Sequence, residues 1–227
     1  MQRLKSGIPG FDNLVGGGIP ENDLVLLSGT CGAGKTIFGL QFVCASPTDE
    51  SGLYISFEEE TEKLRETART FGWKIEDLLR SGKVRMLKYD PFKFEDIFDI
   101  IESNIHEAKT TRVVIDSVSS LGLYVKDVPE LRHMILTIST MLRKNACTSL
   151  LISETLPDAK ALSRFGVEEF VTDGVIRLEQ FLVSGNYRSG LSVWKMRSTD
   201  HSKKVHPYKI SPKGFVVFDK DTLEVTR

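Results

Sequence analysis

Short apolar stretches alternate with longer amphipathic ones along the first two thirds of the chain. The apolar stretches have the length of buried strands, and the segments between them repeat apolar residues at helical spacing. The predicted strands cover residues 24–28, 53–57, 84–89, 113–115 and 150–152. The predicted helices lie near residues 36–45, 60–71, 94–109 and 129–145. Strands that alternate with helices predict an α/β fold, in which helices cover both faces of a mostly parallel sheet.

The C-terminal third has a different pattern, with strand-like segments that follow one another without helices between them. These segments cover residues 175–183, 191–197, 205–210 and 215–218. Gly185-Asn186 and Pro212-Lys213-Gly214 are predicted turns between them. We therefore expect antiparallel strands that extend the main sheet. No linker interrupts the chain, so the sequence predicts a single domain over residues 1–227.

The first predicted strand runs into a G-x-x-x-x-G-K-[ST] pattern, the signature of a phosphate-binding loop or Walker A motif. Its residues are Gly29, Thr30, Cys31, Gly32, Ala33, Gly34, Lys35 and Thr36. Glycines let backbone N–H groups surround phosphates, and the following helix directs its positive end toward the same place. Lys35 can reach the β- and γ-phosphates of ATP, and the Thr36 hydroxyl can hold Mg²⁺. The alternative is a surface glycine loop, but a strand before the pattern and a helix after it favour nucleotide binding.

Polar residues follow the other strands of the predicted sheet. Asp116 ends one strand, Glu58 and Glu59 follow another, and Ser153 and Glu154 end a third. Ligands of open parallel sheets bind at the carboxyl ends of the strands, so these groups should gather around the phosphates. Asp116 is then a predicted Mg²⁺ ligand, often through a water.

Glu58 and Glu59 are the candidates for catalysis, because a carboxylate can orient a water for in-line attack and accept its proton. They also fit a simpler interpretation as acidic residues at a helix start, where the helix dipole favours negative charge. Ser153 has two interpretations as well: a hydrogen-bond donor to the γ-phosphate, or an ordinary serine at a strand end.

The composition excludes some classes of protein but does not identify a function. The net charge of −1 gives no general attraction to nucleic acid or to an anionic membrane. The sequence has no apolar run long enough to span a membrane and no secretory signal at its start. Its three cysteines have no metal or disulfide spacing, which suits a reducing cytoplasm. We therefore expect a cytoplasmic protein. Its composition, 41% hydrophobic and 27% charged residues, is typical of a globular domain.

Motifs outside the phosphate loop make the chain resemble a single KaiC-type ATPase domain of the RecA/RadA superfamily. They occur in this order: Gly7-Ile8-Pro9-Gly10-Phe11-Asp12, Gly16-Gly17-Gly18-Ile19-Pro20, Phe57-Glu58-Glu59, Ala68-Arg69-Thr70-Phe71-Gly72-Trp73, Gly166-Val167-Glu168-Glu169-Phe170 and Lys195-Met196-Arg197-Ser198-Thr199-Asp200-His201. The resemblance covers nearly the whole chain. The circadian clock KaiC has two such domains in tandem and this chain has one, so a clock role is not implied.

The resemblance implies a RecA-like core, ATP bound between adjacent subunits, and commonly a hexameric ring. It implies that the adjacent glutamates include the catalytic base, and that the segment 195–201 reaches the nucleotide of a neighbouring subunit. By this resemblance Lys195 and Arg197, two positions apart on one face of a predicted strand, would form a phosphate clamp in trans; without it, the same spacing fits a solvated strand face. Thr199, His201 and Thr70 would lie near the ribose or base.

Three functions fit these features. The leading one is a slow, Mg²⁺-dependent ATPase that acts as a regulatory or assembly module. The second is a recombinase paralogue that binds DNA, for which the predicted loops 117–129 and 155–166 give a weak basic signal. Those loops combine Lys126, Lys160 and Arg164 with Asp127, Glu130 and Asp158. The third is a nucleotide-gated assembly protein in which hydrolysis is incidental.

Overall fold

A large mixed β-sheet runs through the molecule and carries the candidate site on one of its edges. A computed structural model describes residues 1–45, 50–90, 96–156, 160–183 and 185–225. Within these residues nine strands form the sheet, in the order β11-β10-β9-β8-β3-β7-β6-β4-β5. Their bounds are β3 Leu24–Gly29, β4 Gly52–Ser56, β5 Val84–Lys88, β6 Arg112–Asp116, β7 Thr148–Glu154, β8 Gly174–Val183, β9 Asn186–Met196, β10 Val205–Ser211 and β11 Gly214–Val217. A separate antiparallel pair consists of β1 Arg3–Leu4 and β2 Ile19–Pro20.

The helices cover the two faces of this sheet. The longer ones are α2 Lys35–Cys44, α3 Thr61–Thr70, α5 Ile97–Ala108 and α7 Val128–Lys144, and the short ones are α1 Phe11–Leu14, α4 Ile75–Arg80, α6 Val118–Gly122 and α8 Glu168–Val171. None of the helices in the described ranges has the length and apolar composition that crossing a membrane requires.

The pairing separates the sheet into a parallel core and an antiparallel extension, as the sequence predicts. Strand β3 pairs in parallel with β7 and β8, and β4 pairs in parallel with β5 and β6. Strands β8 to β11 pair with one another in antiparallel order. Every predicted strand is present, although β9 begins five residues before its predicted start at Leu191. Asn186 is therefore not a turn residue: it pairs with Val183.

Two hydrophobic clusters lie on opposite faces of the sheet. One contains α2, where Phe38 packs edge-to-face against Phe11 and Phe215 with ring centroids 5.6 and 5.2 Å apart. The other contains α5 and α7, with Ile101 and Ile138 fully buried against the strands. Because residues along each strand alternate between these clusters, the core strands are buried on both faces.

Two predicted boundaries change in the structure. The start of the helix predicted over residues 94–109 lies outside the described residues, and the helix described there is α5. The segment 117–129 is not a loop throughout, because α6 occupies Val118–Gly122 and α7 begins at Val128. Ser117 caps the N-terminus of α6 by accepting a hydrogen bond from the Ser120 N–H group. The hydrophobic periodicity of the sequence does not predict this cap.

Candidate nucleotide-binding site

The glycine-rich turn between β3 and α2 has the backbone form of a phosphate-binding loop. Gly32 and Gly34 have φ angles of 76° and 88°, in the left-handed region that favours glycine. Gly34 is also the N-cap of α2 and offers no side chain to the first N–H groups of the helix. A Cβ atom at Gly34 would lie 2.9 Å from the side chain of Ile210. The N-terminus of α2 thus has no capping side chain from Gly34, an arrangement that suits the binding of an anion.

Lys35 begins α2 and is buried, with 8% of its surface exposed. Its Nζ atom donates hydrogen bonds of 3.0 and 2.9 Å to the carbonyl oxygens of Gly29 and Thr30. Burial lowers the pKa of Lys35, while the charges of Glu154 and Asp116 act in the opposite direction. The ammonium group thus lies beside the turn, hydrogen-bonded to two carbonyl oxygens, in a position from which it can bind phosphate oxygens.

Asp116 lies at the end of β6 and faces the start of α2. Its Oδ2 atom accepts a 3.0 Å hydrogen bond from the Thr36 hydroxyl and another from the hydroxyl of Tyr54. Burial raises the pKa of Asp116 to about 6, and the charges of Glu58 and Glu59 contribute in the same direction. The hydrogen bonds from Tyr54 and Thr36 oppose that rise. An added cation would oppose it too, because it stabilises the ionised carboxylate.

Glu58 and Glu59 line the same cavity, of about 420 Å³, as Lys35, Thr36 and Asp116. The turn that carries them is closed by Ser56, whose Oγ atom donates to the Glu59 carbonyl at 2.7 Å and accepts from the Glu59 N–H at 2.9 Å. The cavity therefore combines a lysine, several hydroxyl groups and four carboxylates, those of Glu58, Glu59, Asp116 and Glu154. Such oxygen donors suit Mg²⁺, and Thr36 with Asp116 could hold it beside phosphates bound on the loop.

Two residues that the sequence places near the nucleotide, Ser153 and Thr70, do not line this cavity. The hydroxyl of Ser153 does not line the cavity: it is buried and donates to Glu168 Oε1 at 3.0 Å. The reason is the pleat of β7, which turns consecutive side chains to opposite faces, so that the next residue, Glu154, lines the cavity instead. Thr70 is exposed and donates to the Thr67 carbonyl at 2.7 Å, and it is Thr67 that lines the cavity.

Lys195 and Arg197 lie at the other end of the sheet from the phosphate loop. Arg197 donates through its backbone N–H to the Asp173 carbonyl, and the Asp173 N–H donates in turn to the Leu24 carbonyl at the start of β3. The Arg197 guanidinium also pairs with Asp173 Oδ1 at 3.0 Å. Lys195 donates to the carbonyls of Glu169 and Thr172. Neither side chain can reach the phosphate loop of its own chain.

The remaining residues of that segment have partners inside the chain. Thr199 Oγ1 accepts a 3.0 Å hydrogen bond from Arg3. His201 is buried, with Nδ1 3.0 Å from the Ser202 carbonyl and Nε2 2.9 Å from Lys203 Nζ. Their roles near a neighbour's nucleotide stay predictions.

The predicted basic loop residues are all exposed. Lys126, Lys160 and Arg164 lie on the surface after β6 and β7, whereas Asp158 lies outside the described residues. Cys31, in the phosphate loop, is exposed with a free thiol.

Sequence reasoning missed several residues that shape the site: Tyr54, Ser56, Ser117 and Ser120. Tyr54 sits inside an apolar strand, where periodicity marks it as core and gives no sign of its contact with Asp116. Ser56 and Ser117 carry a weak signal, because one ends and the other follows a strand whose carboxyl end faces the cavity, whereas Ser120 lies within α6.

Comparison with known proteins gives a consistent result. The sequence model of the family described as "ATPase: KaiC" matches residues 4–222. A UPF0273 protein of Thermotoga maritima is 34% identical over 239 residues, which cover 97% of this chain and 98% of the relative. The circadian clock oscillator protein KaiC of Prochlorococcus marinus is 32% identical, covering 100% of this chain and 48% of that protein. A solved structure of a KaiC-like protein from Pyrococcus horikoshii superposes with a TM-score of 0.87 and 36% identity, over 96% of this chain and 99% of the other.

Proposed function

The chain belongs to the KaiC family of ATPase domains, and on that basis we propose that it binds Mg-ATP and hydrolyses it slowly to ADP and phosphate. We propose further that residues 1–227 act as one ATPase domain, which serves as a regulatory or assembly module. The observation that carries the proposal is the hydrogen bond of 3.0 Å between Thr36 and Asp116, in a cavity that Lys35, Glu58 and Glu59 also line.

The proposed roles follow from the chemistry of each group. Backbone N–H groups of residues 29–36 and the Lys35 ammonium bind the β- and γ-phosphates. Thr36 and Asp116 hold Mg²⁺, which neutralises phosphate charge. Glu58 or Glu59 orients a water and accepts its proton as the water oxygen bonds to the γ-phosphorus and the bond to ADP breaks.

The second part of the proposal concerns a neighbouring copy of the chain. Lys195 and Arg197 lie on an accessible part of the surface, with Arg197 56% exposed in its side chain, and far from the phosphate loop of their own chain. In a ring, which we propose is a hexamer, they would reach the γ-phosphate held by the next subunit. Assembly and nucleotide state would then be coupled, because ATP would stabilise the interface that completes its own site.

Titration of a fluorescent ATP analogue with Mg²⁺ tests the binding step. Lys35→Ala removes a charge-assisted contact to phosphate, and we expect affinity to fall roughly 30- to 150-fold. Lys144→Ala, at the exposed end of α7, is the matched control and should leave affinity unchanged. Unchanged affinity in folded Lys35→Ala protein would contradict the assignment of the site.

The catalytic step has a separate test. Replacing Glu58 and Glu59 together by Gln keeps their shape and removes both charges, so ATP binding should persist while turnover falls at least ~100-fold. If the double variant hydrolyses ATP at the parent rate, the two glutamates have no catalytic role and are only acidic residues at a helix start. The same assay with and without single-stranded DNA distinguishes a DNA-dependent recombinase paralogue from a module whose turnover ignores DNA.

A further inference from the structure

The carboxylate of Glu58 is held by two serine hydroxyls. Its Oε1 atom accepts a 2.9 Å hydrogen bond from Ser117 Oγ and another from Ser120 Oγ. Both serines are buried, with 1% and 8% of their surface exposed, although Glu58 itself is exposed on the cavity wall. A carboxylate that accepts two donors on one oxygen loses much of its rotational freedom.

The serines are themselves fixed by the start of α6. Ser117 is the N-cap, and its Oγ atom accepts from the Ser120 N–H at 3.3 Å and lies 3.1 Å from Ser120 Oγ. Ser117 directly follows Asp116, so the strand that ends in the candidate Mg²⁺ ligand also supplies the groups that hold Glu58. The positions of these two carboxylates are therefore linked through one short segment.

The main chain of Glu58 is restrained as well. Its N–H donates to Ser56 Oγ at 3.3 Å, in the same turn that Ser56 closes onto Glu59. Glu59 has the same backbone anchor, but among the described residues no side chain donates to its carboxylate. The two glutamates thus differ: Glu58 is held at both ends, and Glu59 is held at its backbone alone.

We propose that Ser117 and Ser120 are positioning residues for hydrolysis, which hold Glu58 Oε1 so that the other oxygen, Oε2, is presented to the attacking water. The inference rests on the proposed function and adds to it the groups that orient one member of the glutamate pair. In this proposal the serines take no proton from the water, although Ser117 also lines the cavity. Their effect is on the orientation of Glu58, and misorientation of a reacting group lowers turnover more than binding.

Ser120→Ala is the sharper variant, because it removes one donor to Glu58 and leaves the Ser117 cap of α6 in place. We expect kcat for ATP hydrolysis to fall about tenfold, with KM and the affinity for the fluorescent ATP analogue unchanged. Ser103→Ala is the matched control, since the Ser103 hydroxyl donates to the Asp99 carbonyl within α5, away from the cavity. Its kcat should equal that of the parent.

A double-mutant cycle separates positioning from a general structural effect. If Ser120 acts through Glu58, then Ser120→Ala should change the residual turnover of Glu58→Gln less than about twofold. Radiolabelled ATP allows such low rates to be measured. A full tenfold loss on the Glu58→Gln background would show that Ser120 acts elsewhere and would overturn the inference.

The remaining outcomes distinguish this inference from the function on which it rests. Parent-like or increased kcat in Ser120→Ala, with turnover lost when both glutamates are replaced by Gln, would overturn the inference and leave the proposed function standing. Absence of ATP turnover in the parent chain, or full turnover in the double Gln variant, would overturn both.

Discussion

The hydroxyl of Tyr54 donates a hydrogen bond to Asp116 on the same oxygen, Oδ2, that accepts the Thr36 hydroxyl. Tyr54 is fully buried on β4, next to β6 in the sheet, and burial raises its pKa well above the usual value. It therefore stays protonated and acts as a donor at neutral pH. Both donors together orient the carboxylate and leave Oδ1 for a metal or its water.

This arrangement predicts that Tyr54→Phe weakens the Mg²⁺ dependence of nucleotide binding. Phe keeps the packing of the ring and removes one donor to Asp116, so the carboxylate is less well oriented. Mg²⁺ concentrations about tenfold higher should be needed to reach half-maximal ATP binding, the usual scale for such an outer-shell partner. Titrating Mg²⁺ at fixed fluorescent ATP analogue measures the shift. Tyr124→Phe is the control, and an equal shift in both variants would contradict the role of Tyr54.

A shared site between neighbouring copies predicts recovery of activity on mixing. Lys35→Ala lacks a working phosphate loop and Arg197→Ala lacks the clamp, so each should be nearly inactive alone. Random mixing in equal amounts should give roughly a quarter of parent turnover, because about one interface in four then combines an intact loop with an intact clamp. Turnover of the mixture, measured with ATP and Mg²⁺ present, tests this.

The control for mixing is Lys35→Ala combined with the Lys35→Ala/Arg197→Ala double variant, where no subunit has a working loop and no recovery is expected. Full activity of Arg197→Ala alone, or a fully active monomer by size-exclusion chromatography with ATP, would rule out the clamp in trans.

The environment of Asp23 predicts that replacing this residue changes the free energy of unfolding in a pH-dependent way. Burial raises its pKa to about 6, and the charge of Asp173 adds to the rise, against Arg143, Arg197 and Arg3. Because the folded-state pKa lies above that of the unfolded chain, ionising Asp23 between about pH 4 and pH 6 costs stability. Asp23→Asn should therefore raise the free energy of unfolding at pH 7–8, by about 1 kcal/mol after allowance for solvent screening.

At pH 4 this gain should largely disappear, because Asp23 is then neutral in the folded protein. Urea denaturation at the two pH values measures the difference. The same gain at both pH values would mean that the asparagine acts through packing, and that the ionisation of Asp23 has no part in it.

The buried hydrogen bonds of Glu168 predict that truncating its side chain strongly destabilises the protein. It is fully buried and its carboxylate accepts from the Ser153 and Ser163 hydroxyls at 3.0 and 2.6 Å, and from the Val167 N–H at 3.1 Å. Glu168→Ala leaves these donors without their acceptor and should lower the free energy of unfolding by about 3 kcal/mol. Urea denaturation at pH 7 is the measurement. Glu66→Ala, on the exposed face of α3, should change stability little, and a comparable loss there would contradict the argument.

Much of the fold was accessible from the sequence because apolar stretches define strands that are buried on both faces. The order of strand, glycine turn and helix around Lys35 also fixes where the loop lies in the sheet. Residues at strand ends were harder to assign. Ser153 and Glu154 differ by one position, and the phase of the pleat decides which of them faces the cavity.

Other features depend on contacts between distant segments. Tyr54 and Asp116 are 62 positions apart, and Ser120 and Glu58 are equally far apart. No local pattern encodes such pairs. The short helix α6 was missed for a related reason: it is too short to show periodicity, and tertiary packing stabilises it more than its own sequence does.

The position of Arg197 relative to the phosphate loop limits the symmetry of any assembly that joins them. Arg197 lies level with Leu24 at the start of β3, and the loop follows Gly29 at its end, roughly 17 Å farther along the strand. A two-fold axis would have to bring both ends of each copy against the same partner. Copies that instead share a single loop-to-clamp contact at each interface repeat head to tail, and their rotation either closes into a ring or continues as a helical filament.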